Sequence, residues 1–202
     1  MATGDIWYYT MIDQKLILTD CDGVLLDWLY SFDQWMLSHG YRIQSEGTYS
    51  IKDRYDLGEV NKKRVTRMFN ESAWIRKLPP YMDAIKYVKK LHEEHGYIFH
   101  VITSQTDNEY AQHLRIKNLN EMFGPTVFEK FVILGCGADK DEALEQYRDT
   151  NCWWLEDKPE NADVGHSVGL RSILMEHAHN KQYEGPATLV KNWKDVYQLI
   201  VG

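Results

Sequence analysis

Leu16-Ile17-Leu18-Thr19-Asp20-Cys21-Asp22-Gly23-Val24 orders everything around it. Lys15 to Thr19 is a short aliphatic run of the length of a buried strand. Two aspartates and a glycine follow at once, the composition of a tight turn leading into a helix. Val24 to His39 carries Leu25, Leu29, Phe32, Trp35 and Met36 at helical spacing, with Gly40 as a stop. A strand feeding a helix through a polar turn is the opening unit of a parallel α/β sheet.

The same unit recurs downstream. Tyr81 to His95 is an amphipathic helix with Ile85, Val88 and Leu91 as its apolar stripe, ended by Gly96. Tyr97 to Ile102 reads as a second strand, and Asp107 is placed to cap a helix running to about Asn118. Phe131 to Leu134 is a third strand, followed by the Gly135-Cys136-Gly137 loop and a short helix from Lys140 to Tyr147. Cys152 to Leu155, Ser172 to Met175 and Ala187 to Val190 supply further strand segments, and Asn192 caps a closing helix to Ile200. This alternation predicts a Rossmann-like parallel sheet with helices on both faces.

One segment breaks the rhythm. Residues 41–80 are too many for a simple connection. They hold nine basic and five acidic side chains, in a chain whose net charge is −7. We read residues 41–80 as a small helical insertion over one end of a core formed by 11–40 and 81–202. Met11 as an internal start makes residues 1–10 a flexible leader. The acidic balance disfavours binding to nucleic acid or anionic membrane through the whole surface. No stretch approaches a membrane span, and the three cysteines fit a reducing, cytoplasmic setting. A homodimer is a candidate assembly.

Ligands of open parallel sheets bind beyond the carboxyl ends of the strands. There the sequence offers Asp20 and Asp22, then Thr103 and Ser104, then Lys140, then Glu156 and Asp157. Several carboxylates at one point repel each other, and a hard divalent cation such as Mg²⁺ relieves this with oxygen ligands. An ammonium and a hydroxyl opposite them suit a phosphoryl group.

Leu16-Ile-Leu-Thr-Asp20-Cys-Asp22-Gly23-Val24, Val101-Ile-Thr103-Ser104, Lys140 and Trp154-Leu-Glu156-Asp157 stand in the order of the four motifs of the haloacid dehalogenase-like superfamily, which the chain resembles. That superfamily commonly inserts a helical cap between its first two motifs. Asp22-Gly-Val-Leu-Leu-Asp27-Trp28, Leu78-Pro-Pro80, Met122-Phe-Gly-Pro125, Leu155-Glu-Asp157-Lys-Pro159 and Asn192-Trp193 are similar to the 5′(3′)-deoxyribonucleotidases. The resemblance implies that Asp20 is the nucleophile, forming an aspartyl-phosphate, and that Asp22 is the general acid and then the general base. It implies that Thr103, with Ser104, and Lys140 bind the phosphate. It further implies that Asp20, Asp157 and the backbone carbonyl of Asp22 hold Mg²⁺, with Glu156 as a supporting or alternative ligand. A small phosphorylated substrate, a nucleoside monophosphate first, follows from it.

Other residues are read more plainly. Phe32, Arg54, Arg64 and Trp74 are candidates for substrate specificity, and Trp28, Tyr30, Tyr49 and Tyr55 for a base-stacking platform. His177-Ala-His179 reads as a solvated loop, Cys21 as a packing residue facing away from the aspartates, and Lys158 as turned outward. A sugar-phosphate phosphatase or phosphomutase, a nucleic-acid 3′-phosphatase and an inactive binding module of the same fold are the alternatives.

Overall fold

A computed structural model describes residues 15–48 and 50–202. The leader at residues 1–10 and the aromatic candidate Tyr49 lie outside them. Six strands form one sheet: β1 (Leu16–Thr19), β2 (Ile98–Ser104), β3 (Phe128–Leu134), β4 (Trp153–Glu156), β5 (Arg171–Met175) and β6 (Thr188–Val190). Their order is β3-β2-β1-β4-β5-β6 and every pairing is parallel. The expected α/β class is what the chain adopts.

Strand alternation divides the core. Ile17, Phe99, Val101, Leu155 and Ile173 belong to one apolar cluster. Leu16, Leu18, Ile102 and Trp154 belong to another, on the opposite face. β1 is therefore apolar on both sides, as a central parallel strand must be. Its carboxyl end is where the apolar run stops and Asp20 begins.

The helices sit where periodicity puts them, with shifted ends. Helix α1 is Trp28–Ser38 rather than 24–39, and Asp27 caps it by accepting from the Tyr30 amide at 3.0 Å. Residues 23–27 are instead a tight loop, because Leu25 and Leu26 both donate to the Cys21 carbonyl at 2.9 Å. Then come α2 (Ile51–Tyr55), α3 (Glu59–Asn70) and a 3₁₀ turn (Ala73–Lys77). Helix α4 is Ala84–Glu93 and α5 is Glu109–Phe123. The cap of α5 is Asn108, whose Oδ1 accepts from Ala111, and not Asp107. Helices α6 (Asp141–Glu145), α7 (Pro159–Ser167) and α8 (Trp193–Val201) complete the chain, the last capped by Asn192 as expected.

The excursion from the sheet closes on itself. The Asp27 amide donates to the Pro79 carbonyl at 2.9 Å, and the Tyr81 amide to the Leu25 carbonyl at 2.8 Å. Between these points α1 packs on the following helices: Phe32 meets Tyr55 and Phe69 edge-on, and Asp33 pairs with Arg54. Three contacts tie the far end of the excursion to the α5 side of the sheet. Thr106 Oγ1 donates to Glu71 at 2.9 Å, Asn118 Nδ2 to the Leu78 carbonyl at 3.0 Å, and Arg76 pairs with Glu121.

Candidate active site

The carboxyl ends of β1, β2 and β4 open on a cavity of about 700 Å³ that the helical excursion covers. Asp20, Asp22, Thr103, Ser104, Lys140, Glu156 and Asp157 all line it. Every residue expected to carry chemistry thus reaches one cleft. Each is delivered by the point where a hydrophobic strand ends, or in the case of Lys140 by the residue that opens α6.

Charge in the cleft is unbalanced. Lys140 Nζ lies 2.8 Å from Asp20 Oδ1 and 2.6 Å from Glu156 Oε1, with the ammonium buried. Asp20, Glu156 and Asp157 each place an oxygen within 4.8 Å of the other two. Burial pushes Asp20 up to about 6, and the charges of Glu156 and Asp22 add to it against the pull of Lys140. Asp157 is raised well above the usual carboxylate range by burial and then by Glu156 and Asp20. Burial also raises Asp22. Glu156 goes the other way: burial works against its charge, but Lys140 and the donors around it prevail.

Those donors saturate Glu156. Oε1 accepts from Lys140 and from Asn161 Nδ2 at 2.7 Å, and Oε2 accepts from the amides of Asp157 and Lys158 at 2.7 and 3.0 Å. A carboxylate has about four lone-pair sites, and these four bonds use them. Asp20 and Asp157 are left as the side chains able to turn oxygen toward a cation. An all-oxygen, carboxylate-rich donor set beside room for phosphate fits Mg²⁺. Gly23 keeps this corner open. Its φ is +76°, and a Cβ there would lie 2.6 Å from Asp157 Oδ2.

Three features of the cleft escape the sequence reading. Arg115, buried to 1% exposure, pairs through Nη1 with Asp22 Oδ1 and lies 3.3 Å from Cys21 Sγ. Cys21 is buried in the core as expected, its thiol pushed up to about 12 by burial. The signal for Arg115 was a cation on the stripe Ala111, Arg115, Asn118, Leu119, the buried face of α5. Second, the histidine pair is not a solvated loop. His177 and His179 line the cavity, with His177 Nε2 2.8 Å from the Gly23 carbonyl and His179 Nε2 3.1 Å from that of Asp157. Third, Lys158 lines the cavity rather than turning outward.

The specificity candidates divide. Arg54 lines the cavity, but its guanidinium is held by Asp33, which also accepts from Tyr55 Oη at 2.5 Å. Phe32 is sealed in the core, stacked on Trp28 at 4.7 Å, and does not line the cavity. Arg64 and Trp74 are exposed and do not line it either. Trp28 does, and so does Asn70.

The family model described as "5' nucleotidase, deoxy (Pyrimidine), cytosolic type C protein" matches residues 14–202. The chain belongs to this nucleotidase family. A curated relative is the uncharacterized 32.4 kDa protein of the Gp30-rIII intergenic region of Enterobacteria phage T4. It is 27% identical over 191 residues, which cover 89% of this chain and 67% of the relative. Among solved structures, a haloacid dehalogenase-like family hydrolase from Streptococcus pneumoniae superposes with a TM-score of 0.62 at 13% identity, covering 92% of this chain and 98% of its own. CbbY from Rhodobacter sphaeroides, in complex with phosphate, gives 0.60 at 14% identity, with 91% and 96% covered. The nucleotidase family thus sits on the haloacid dehalogenase-like fold. Among the described residues no helix is long and apolar enough to cross a membrane.

Proposed function

We propose that this nucleotidase-family chain is a Mg²⁺-dependent phosphomonoesterase that hydrolyses deoxyribonucleoside monophosphates through an aspartyl-phosphate on Asp20. The convergence of Asp20, Lys140, Thr103 and Asp157 in one cleft carries this reading. Family membership supports the nucleotide as substrate.

Asp20 Oδ attacks phosphorus as the ester oxygen leaves, and Asp22 delivers a proton to that oxygen. Water then attacks phosphorus, Asp22 takes its proton, and Asp20 is released with inorganic phosphate. Lys140 and Thr103, with Ser104, stabilise the oxygens that gain charge in both steps. Asp20, Asp157 and the Asp22 carbonyl would hold Mg²⁺, Glu156 orienting the group. When bound, the cation offsets the repulsion between Asp20 and the substrate phosphate.

We further propose that residues 28–78, α1 included, act as the substrate cap, since α1 packs on the helices of that segment. This moves the boundary expected near residue 40. The three free cysteines support a cytoplasmic location.

Phosphate release over a panel of deoxynucleotides, sugar phosphates and an aryl phosphate, with Mg²⁺ or EDTA, tests the reading. Asp20→Asn should abolish Mg²⁺-dependent release from all of them. Turnover that survives in that variant removes the nucleophile, and turnover confined to sugar phosphates removes the nucleotide.

A further inference from the structure

Strand β5 carries none of the reacting residues, yet the chain leaving it reaches two of the turns that do. Asn180, at 3% exposure, anchors that chain. Its Oδ1 accepts from the His177 amide at 2.7 Å. Its Nδ2 donates to the Met175 carbonyl at the end of β5 and to the Asp157 carbonyl, both at 2.8 Å. One bond accepted and two donated give the amide a single orientation. His179 Nε2 brings a second donor to the Asp157 carbonyl at 3.1 Å. The backbone that carries the Asp157 carboxylate is thus pinned from behind.

The other turn is that of Asp22. His177 Nε2 donates to the Gly23 carbonyl at 2.8 Å, and the Gly23 amide donates to the Leu26 carbonyl at 2.9 Å. The second bond sets the plane of the Asp22–Gly23 peptide and the first sets the plane of the next peptide. The Asp22 carbonyl is therefore held in direction from both sides of Gly23. With the proton on Nε2, Nδ1 of His177 is left to face Tyr81 Oη at 3.5 Å. Ring contacts to Tyr81 at 5.0 Å and to His179 at 5.5 Å, centroid to centroid, keep the imidazole in place.

We propose that His177, His179 and Asn180 are positioning residues that hold the turns of Asp22 and Asp157 at the mutual placement an octahedral cation requires. The proposal rests on the Mg²⁺ reading above and adds to it residues that act through the ligands rather than on the cation. Mg²⁺ demands near-ideal octahedral geometry, whereas Ca²⁺ accepts irregular oxygen shells. A clamp that enforces ligand spacing therefore matters more to Mg²⁺ than to Ca²⁺. General damage to the fold weakens both alike.

The test is calorimetric titration of the full chain with Mg²⁺ and, separately, with Ca²⁺. The parent is compared with His177→Phe, which keeps a ring against Tyr81 and loses the donor, and with His177→Gln, which returns a donor of similar reach. We expect Mg²⁺ affinity to fall about tenfold in His177→Phe and Ca²⁺ affinity by less than about threefold, with His177→Gln within about threefold of the parent for both. Should His177→Phe show no thermal transition in EDTA, His179→Phe, which removes a donor from the Asp157 carbonyl, takes its place with the same expectation. Equal losses for the two cations, unaltered Mg²⁺ affinity, or a His177→Gln protein as weak as His177→Phe overturns the assignment and leaves the Mg²⁺ reading standing. A parent protein that binds no Mg²⁺ overturns both.

Discussion

Lys140 Nζ stands 2.8 Å from Asp20 Oδ1, and both side chains are buried. The same ammonium holds Glu156 at 2.6 Å, so one cation answers for three neighbouring carboxylates. Removing one partner of a buried pair costs about 3–5 kcal/mol, because the other charge stays behind without compensation. Lys140→Met is expected to lose that much in urea unfolding with EDTA present. Adding Asp20→Asn to it should restore part of the loss. A Lys140→Met protein as stable as the parent would mean that the carboxylates are not charged as described.

In the metal-free protein the buried aspartates of the cleft should favour the fold more as pH falls. Asp20 is raised from 3.8 to about 6 on folding, chiefly by burial, and Asp157 shifts in the same direction. A raised acid binds its proton more tightly when folded, so its contribution is fully present below pH 4 and is lost as pH rises through 6. The Asp20 share is at most about 3 kcal/mol. Glu156, shifted downward, opposes this only below its ordinary value near 4.5. His100, His177 and His179, lowered by burial, oppose it as pH falls through 6.5. The Asp20 share is therefore read as a difference: from pH 7.5 to pH 5 in EDTA the unfolding midpoint of the parent should gain on that of Asp20→Asn. A difference that shrinks over this window contradicts the burial argument.

Gly23→Ala tests the close approach at the Asp157 corner. The positive φ alone costs a side chain about 1–3 kcal/mol. The added methyl would also meet Asp157 Oδ2 at 2.6 Å, so that carboxylate must move. We expect lower stability together with weaker Mg²⁺ binding by titration calorimetry. Unaltered Mg²⁺ affinity would place the cation away from Asp157.

Arg115 and Asp22 should behave as a unit. Arg115→Leu leaves Asp22 without its buried partner and should cost about 3–5 kcal/mol. With Asp22→Asn in the background the same change should cost less, giving a coupling of about 0.5–3 kcal/mol in a double-mutant cycle. Additive effects would show that the ion pair contributes nothing beyond its parts.

The sheet was legible because its strands are aliphatic runs ended by polar turns, a pattern that depends on local sequence alone. The cleft residues were legible for the same reason, since all but Lys140, which opens α6, follow closely where such a run stops. Helix starts were less so: residues 24–27 keep helical spacing, but the Cys21 carbonyl captures the Leu25 and Leu26 amides and delays α1 to Trp28. Arg115 and His177 were hidden, because what matters about each is a partner 93 or 154 residues away. Spacing alone did not separate Phe32 from Trp28, both candidates on α1: one is sealed in the core and the other lines the cavity.

The hydrogen bonds at Asp27–Pro79 and Leu25–Tyr81 have a bearing on ancestry. Polypeptide leaves and rejoins the sheet at adjoining points, so a replacement of almost any length can be grafted there for a small extra loop-closure cost. Selection for a new substrate can then exchange the entire overlying bundle while the acidic cleft below keeps its geometry.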